Sequence, residues 1–327
     1  MTVTRDLTAL PKAHLHLHLE GSARPATIAE LASRGGIDIS DFHAFSTLPE
    51  FVERYVIAVS TITEPDDLER VCYELLMDEA AQGVRWCEPG VTPQFYEPAF
   101  GTVDDVWAIM RRGFDRAAAQ TGIAWGVIVS HVRTQTVELA ERMAAWAVDH
   151  RDDGVVGFGI AGDEQKVGPE PYRRAFAIAA EAGLLCVPHA GESVGPESVH
   201  GALAVGAHRL AHGVRSVEDP DLPRRLADEN ITCDVCPTSN LKLSVVGNLA
   251  DHPLPLLLEA GVPVTLGSDD QLFFGSQVAE EYEVVRQVFG LSDSELAGIA
   301  RTSARASGAP PALKAEIESG IDTWLAA

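Results

Sequence analysis

Short apolar runs recur along the chain, and each is followed by a longer stretch with helical spacing. The runs are rich in Val, Ile, Leu or Cys, and their apolar residues tend to be adjacent instead of alternating with polar ones. Parallel strands that are buried on both faces have this composition. We predict eight such strands, at residues 13–19, 84–89, 124–130, 155–160, 184–190, 209–212, 231–236 and 262–268.

The stretches between these runs carry helix start and stop signals. Residues 64–83 open with a proline and acidic residues and close at Gly83, residues 170–183 have proline near the start and glycine at the end, and residues 137–150 repeat apolar positions at helical spacing. Eight strand–helix repeats predict an α/β fold, a closed (β/α)8 TIM barrel forming one domain over residues 1–327. An open doubly wound sheet is the alternative, although no GxGxxG turn follows the first strand.

The first connection, from residue 20 to about residue 83, is too long for a single crossover and predicts extra helices inserted after strand one. One of them covers residues 47–60 and has Phe51, Tyr55 and Val59 on one face. Two interpretations are open for this apolar face. The helix either lies over the mouth of the barrel or packs against its wall.

Residues with ionisable side chains, together with Gly162, follow the predicted strands at their carboxyl ends. Along the chain they are His16, His18, Glu20, Glu88, Gly162, Asp163, Glu164, His189, Glu192, His212, Asp269 and Asp270. In a parallel barrel all strand ends of this kind meet at one rim, where barrel enzymes build their sites. We therefore expect these residues to gather at one place although they span 250 residues of sequence.

The stretch "AHLHLHL" places imidazoles on one face of strand one. His16 and His18, together with His189 and Asp269, form a set of three nitrogens and one oxygen that suits Zn²⁺. A catalytic zinc keeps one further position for water and lowers the pKa of that water to about 7. His14 lies one step earlier on the strand, and we expect it to be a hydrogen-bonded interior residue instead of a ligand.

Three more residues are placed to handle protons near such a metal. Glu192 follows His189 by three residues and could carry protons between water and substrate. His212 and Asp270 would flank the hydroxide, one to orient or deprotonate it and the other to hold it or the substrate. Attack of hydroxide on an electrophilic carbon is the reaction that this arrangement predicts.

The composition of the chain excludes some classes of binding partner and indicates its cellular compartment. The formal net charge of −23 argues against nucleic acid and anionic membranes, and no apolar run reaches the length of a membrane span. The first twelve residues lack the layout of a secretory signal, and five scattered cysteines favour a reducing cytoplasm. Cys233 and Cys236 form a lone CxxC, which we interpret as core packing because the second half of a zinc knuckle is missing.

Taken in order, the motifs "PKAHLHLHLEGS", "IAGDE", "HAGE", "RLAHGVRS", "CPTSNLKL" and "TLGSDD" resemble those of the adenosine deaminase family of metal-dependent aminohydrolases. The resemblance spans nearly the whole chain. It implies a barrel enzyme that hydrolytically deaminates a small-molecule 6-aminopurine, with adenosine as the default substrate. Adenine and aminodeoxyfutalosine are the alternatives for the same chemistry.

The resemblance also implies a role for each site residue. His16, His18, His189 and Asp269 would hold one zinc ion per chain, and the remaining roles concern the substrate. Glu192 would protonate the purine nitrogen next to the attacked carbon, Gly162 would offer its N–H to the opposite ring nitrogen, and Asp270 would also meet the imidazole edge. Glu20 matches the acidic residue that contacts the ribose in adenosine-specific members.

Some positions depart from the family pattern. His14 stands where glutamate is usual, Gly90 stands at the arginine position of "ExRxSP", Gly159 replaces an aspartate, and Gln271 follows "SDD" in place of proline. None of these departures touches the predicted ligands or proton carriers. They leave the substituent on purine N9 open.

Two other readings remain at this point. A two-metal amidohydrolase would carry a carboxylated lysine at strand four, but the nearest lysine is Lys166, beyond the motif. A purine-binding protein without turnover would keep the scaffold, yet such proteins usually lose a ligand or a proton carrier, and this chain has all of them.

Overall fold

The computed structural model describes residues 5–327. Residues 1–4, which belong to the predicted domain and to the N-terminal segment discussed above, lie outside the described residues. Within that range the strands are β1 (Lys12–His14), β2 (Val84–Cys87), β3 (Gly90–Val91), β4 (Ala124–Trp125), β5 (Val127–Val132), β6 (Val155–Ala161), β7 (Leu185–Ala190), β8 (Arg209–His212), β9 (Thr232–Val235) and β10 (Val264–Leu266).

Helices connect the strands and cover the sheet. They are α1 (Pro25–Gly35), α2 (Leu48–Thr61), α3 (Pro65–Ala81), α4 (Glu97–Phe100), α5 (Val103–Thr121), α6 (Val137–Asp149), α7 (Arg173–Glu181), α8 (Pro196–Ala204), α9 (Leu222–Asp228), α10 (Pro237–Lys242), α11 (Leu254–Glu259), α12 (Gln271–Phe274), α13 (Val278–Phe289), α14 (Asp293–Ala306) and α15 (Pro311–Ala326).

All the strand pairs are parallel, and they follow one another around a barrel. One sheet runs β10-β9-β8-β7-β6-β5-β3 and the other runs β1-β2-β4. β2 and β3 are two pieces of the second predicted strand, and β4 and β5 are two pieces of the third. The predicted strands are therefore confirmed, although several are shorter or interrupted.

Strand one closes the barrel through backbone contacts beyond β1. Leu17 forms a parallel bridge with Asp269, just after β10, and His18 forms one with Gly90 in β3. His18 N–H donates to Asp269 O over 3.1 Å, and Asp269 N–H donates to His16 O over 3.1 Å. The predicted TIM barrel is confirmed, and the open doubly wound sheet is wrong.

The long first connection holds three helices, α1 to α3, as the sequence predicts. α2 lies over the mouth of the barrel, because its Tyr55 ring is 6.4 Å from the His18 ring and its Phe51 ring is 5.2 Å from the rings of Phe273 and Phe274. Of the two interpretations of its apolar face, packing over the mouth is confirmed.

The structure contains the helix start and stop features that the sequence predicts. Glu64 and Asp67 form a capping box at the start of α3, with a proline in its first turn. Gly83 follows this helix with a φ of 80°, in the left-handed region that glycine adopts without strain. A side chain at Gly83 would also collide with the carbonyl of Thr8, since a Cβ there would lie 2.2 Å from that oxygen.

Glu88 lies inside the barrel wall instead of at the rim, so its predicted place in the site is wrong. Its carboxylate is fully buried, accepts a hydrogen bond from Trp86 Nε1 over 2.7 Å and pairs with Arg209 Nη1 at 2.8 Å. Arg209 also pairs with Asp234 at 3.0 Å, and Thr265 Oγ1 donates to the other oxygen of Asp234 over 2.7 Å. These groups form an ionic layer inside the barrel.

Among the described residues, none of the helices is both long enough and apolar enough to cross a membrane.

Replacing Arg209 with Met should lower the free energy of unfolding by about 3–5 kcal/mol, because two buried carboxylates would lose their cation. Denaturant unfolding measures this change. The matched control is Arg225→Met, which breaks an exposed pair with Glu229 and should cost at most about 1 kcal/mol. Equal effects of the two substitutions would contradict the importance assigned to the buried layer.

Candidate metal and active site

Four of the predicted site residues meet at the carboxyl ends of the strands. The ligand atoms of His16, His18, His189 and Asp269 all lie within 4.8 Å of one another. Asp269 Oδ1 is 3.2 Å from His18 Nε2 and 3.5 Å from His16 Nε2, and His189 Nε2 is 3.3 Å from His18 Nε2. Residues separated by up to 253 positions thus form one cluster.

Backbone carbonyls orient two of these imidazoles. Asp234 O lies 2.9 Å from His16 Nδ1, and Ile160 O lies 2.9 Å from His189 Nδ1. A carbonyl can only accept, so each Nδ1 carries the hydrogen and each Nε2 keeps a lone pair directed into the cluster. His16 Nε2 is buried and has no hydrogen-bond partner among residues 5–327.

This donor set fits zinc. Three imidazoles and one carboxylate are ligands that Zn²⁺ accepts, and the carbonyls behind the rings of His16 and His189 are the usual outer support of such ligands. Burial disfavours the charged form of Asp269, but its interactions with the neighbouring imidazoles, first His16 and then His18, hold its pKa well below the usual value. The carboxylate is therefore ionised, as a ligand must be.

Two of the four non-glycine residues that have a positive φ in the described part of the chain belong to this site. Asp269 has a φ of 59° and His212 has a φ of 73°, a region that residues with a side chain adopt at a cost. Ser239 Oγ donates to Asp269 Oδ2 over 2.6 Å and fixes that carboxylate. Strain of this kind, held in place by surrounding contacts, is typical of functional sites.

A second donor group overlaps the first. Cys236 Sγ lies with ligand atoms of His16, His212 and Asp269 within 4.8 Å of one another. Burial, followed by the charge of Asp269, raises the pKa of the Cys236 thiol well above its usual value, so the thiol is protonated and is a poor ligand. The set containing His18 and His189 is the better supported of the two, and Cys233 belongs to the apolar core as expected.

Glu192 and His212 lie next to the cluster, with His212 Nε2 3.5 Å from Glu192 Oε1 and 3.9 Å from Asp269 Oδ2. Burial, reinforced by the charges of Asp269 and Glu164, raises the pKa of Glu192 well above its usual value. A neutral carboxyl at this point can give a proton to a bound molecule. Burial lowers the pKa of His212 to about 3, which keeps that ring neutral.

Asp270 completes the group that the sequence predicts. Burial, followed by the negative charge of Asp269, raises its pKa well above the usual value. Its Oδ1 is buried without a hydrogen-bond partner within the described part of the chain. Gly21 makes room for this carboxyl, because a Cβ at that position would lie 1.7 Å from Asp270 Oδ1.

Two buried charged residues hold the loop that carries His189 and Glu192. Glu164 accepts hydrogen bonds from the backbone N–H groups of residues 191–194, at 2.7 to 3.2 Å. Arg133 donates to the carbonyl of His189 and, over 2.7 Å, to Val167 O. Glu164 therefore shapes the site from behind, while Asp163 pairs with Lys166 at 3.1 Å.

Glu20 is buried and is held by two tyrosines. Its side chain is 1% exposed, and its two oxygens accept hydrogen bonds from Tyr55 Oη over 2.7 Å and Tyr96 Oη over 2.8 Å. Gly162 lines the cavity and has a φ of 91°. The predicted contacts of these two residues with a substrate remain predictions.

A cavity of about 300 Å³ opens next to the cluster. That volume is at the lower end of the range for small-molecule sites. Apolar side chains of α2 form one wall, and polar groups of the site form the floor. The lining residues are His18, Leu48, Phe51, Val52, Tyr55, Val56, Thr92, Phe95, Ser130, Val132, Thr134, Gln135, Ala161, Gly162, His189, Glu192, His212, Leu243, Asp269 and Asp270.

Two residues that depart from the expected motifs, His14 and Gln271, contact the same carboxylate. His14 Nδ1 pairs with Glu79 Oε2 at 2.7 Å, and Gln271 Nε2 donates to Glu79 Oε1 over 2.6 Å. Ser268 N–H donates to His14 Nε2 over 3.0 Å. His14 is thus an interior hydrogen-bonded residue, as predicted, and this network fixes the turn that precedes Asp269.

The sequence interpretation placed Tyr55 on an apolar helix face but predicted no role for it in the site, and it did not identify the other residues that support the site. Tyr55 and Tyr96 bind Glu20, Arg133 holds His189, and Asn240 contacts His212. Asn240 lies in the quoted motif "CPTSNLKL", which was the one available signal. The others give no sign of their partners, because those partners lie 35 to 76 residues away in sequence.

Known proteins resemble the chain over its whole length. The family model described as "Adenosine deaminase" matches residues 11–324. A protein of Streptomyces virginiae, whose provisional name is adenosine/adenine deaminase, is 42% identical over 99% of each chain.

Solved structures extend the likeness to the fold. The crystal structure of an adenine deaminase from Arthrobacter aurescens superposes with a TM-score of 0.88 at 31% identity, covering 97% of this chain and 99% of that chain. An amidohydrolase from Burkholderia ambifaria, solved with bound zinc, superposes with a TM-score of 0.89 at 29% identity, covering 100% of this chain and 97% of that chain.

Replacing His18 with Ala should remove the tightly bound metal, because only the better supported donor set uses His18. Replacing Cys236 with Ala should leave the metal content unchanged and serves as the matched control. Elemental analysis of the purified proteins measures both. Loss of metal from the Cys236 variant with retention in the His18 variant would show that the overlapping donor group is the real site.

Proposed function

The chain belongs to the adenosine deaminase family and is a hydrolytic deaminase that acts on C–N bonds, and we propose that it replaces the 6-amino group of a 6-aminopurine with oxygen, releasing ammonia. The observation that carries this proposal is the combination of a ligand cluster with a buried carboxyl of raised pKa, Glu192, at the floor of one cavity. That combination supplies both a metal and a proton donor to the same bound molecule.

One zinc ion per chain is part of the proposal, with His16, His18, His189 and Asp269 as its ligands. The zinc-bound amidohydrolase of the same fold supports the choice of metal. When bound, zinc would supply a water of lowered pKa and stabilise negative charge. A second ion bridged by a lysine finds no support, because Lys166 is exposed and pairs with Asp163 outside the cavity.

The chain's own residues would bind the purine and move its protons. Glu192 would protonate N1 as water adds at C6, which removes charge that would otherwise build up on the ring. His212 and Asp270 would hold the attacking water on one face of the purine. The N–H of Gly162 would bind N3, and Asp270 would also meet the imidazole edge.

The surroundings of Glu20 are relevant to which substituent the substrate carries at N9. Adenosine is the default that the motifs imply, and a ribose needs polar partners for its hydroxyl groups. The carboxylate of Glu20 is already bound by Tyr55 and Tyr96, and α2 presents Leu48, Phe51 and other apolar side chains to the cavity. Hydroxyl groups left without partners would be costly, so these contacts favour the free base, adenine, over the nucleoside.

Adenine should be deaminated with a higher kcat/KM than adenosine, and both should exceed aminodeoxyfutalosine. Loss of the adenine absorbance band on mixing measures the rates. Replacing Tyr55 and Tyr96 together with Phe would free the Glu20 carboxylate and should shift the ratio towards adenosine. A ratio that favours adenosine in the unchanged protein would contradict the assignment of the free base.

Replacing Glu192 with Gln should abolish turnover while the zinc is retained, because the amide keeps the shape of the side chain but cannot give up a proton in the same way. Rate and metal content are measured on one preparation. Loss of zinc in this variant would show that the role given to Glu192 is wrong. If the unchanged, zinc-loaded protein turns over none of the three purines, a binding protein without turnover becomes the better description.

A further inference from the structure

A chain of hydrogen bonds reaches His212 from the side away from the cavity and ends on a backbone amide. Asn240 Nδ2 lies 3.3 Å from His212 Nδ1, and His252 Nε2 lies 3.1 Å from Asn240 Oδ1. Leu254 N–H donates to His252 Nδ1 over 3.0 Å. All three side chains are buried, and neither Asn240 nor His252 lines the cavity.

The backbone N–H of Leu254 sets the direction of the two hydrogen bonds that His252 makes. A peptide N–H can only donate, so His252 Nδ1 carries no hydrogen. The neutral ring of His252 then carries its hydrogen on Nε2 and donates to the side chain of Asn240. The oxygen of Asn240 therefore faces His252, and its NH₂ group faces His212.

The same reasoning fixes His212. An amide NH₂ group can only donate, so His212 Nδ1 accepts and has no hydrogen. The hydrogen of the neutral ring is then on Nε2, the nitrogen that faces Glu192 Oε1 at 3.5 Å. A ring nitrogen that already carries hydrogen donates a hydrogen bond and cannot take up a proton.

We propose that Asn240 and His252 are positioning residues that fix His212 as its Nε2–H tautomer, so that His212 orients the attacking water as a hydrogen-bond donor. This inference rests on the proposed deamination. It also excludes His212 as the group that takes up the proton of the water, because its Nε2 already carries hydrogen.

The first test is the tautomer itself in the zinc-loaded protein. Long-range ¹⁵N–¹H correlation spectra of histidine-labelled protein distinguish a ring nitrogen that carries hydrogen from one that does not. The spectrum should show hydrogen on Nε2 of both His212 and His252. Hydrogen on Nδ1 of His212 would overturn the proposal, whether or not the protein deaminates any purine.

The second test reverses the donor. Asn240→Asp offers only oxygen atoms to both rings, so His212 should move its hydrogen to Nδ1 and present a bare Nε2 to the cavity. Loss of one fixed donor at a reacting centre costs about 10²-fold in kcat, and KM should stay nearly unchanged because the ring does not hold the purine. Wild-type kcat with the wild-type tautomer in this variant would overturn the proposal.

His252 provides a matched pair in case the Asn240 variant does not fold. His252→Ala frees the Asn240 side chain to rotate and should lower kcat with a mixture of His212 tautomers. His252→Gln can still donate to Asn240 and should recover both the tautomer and most of kcat. Zinc content and far-UV circular dichroism confirm that the variants are loaded and folded. Equal kcat in the two variants would overturn the relay.

Discussion

The closure of the barrel between strand one and strand eight is the constraint on which the site depends. Leu17 bridges Asp269, and the flanking hydrogen bonds join His18 and His16 to the backbone of Asp269. The bonds that close the barrel therefore also bring two imidazoles on one side against a carboxylate on the other. The fold and the geometry of the candidate metal ligands are set by the same few backbone contacts.

Support for the site lies below it, inside the barrel. Asp234 contributes its carboxylate to the ionic layer with Arg209 and its carbonyl to His16. Because one residue serves both purposes, the buried charges are mechanically connected to the orientation of the His16 ring. The strained backbone at His212 and Asp269 is held by side chains from neighbouring strands and helices, among them Asn240 and Ser239.

The sequence predicts the parts of this arrangement that repeat or that end a strand. Adjacent apolar residues reveal buried parallel strands, and the parallel order places His16, His189 and Asp269 at one rim. Glu88 also follows a strand, yet its position is decided by Arg209, which lies 121 residues away and offers the matching charge. Pairings of this kind, like that of Glu20 with Tyr96, depend on packing between distant segments and leave no local pattern.

The closing bridge has a consequence for how the molecule is made. Strand one leaves the ribosome first, but its partner around residue 269 is synthesised after most of the chain. Until then the strand has an unpaired edge, and two of the imidazoles have no carboxylate opposite them. The cluster of three imidazoles and one carboxylate is therefore complete only late in synthesis, and a nascent chain that stalls before the last barrel strand leaves an unpaired strand edge exposed.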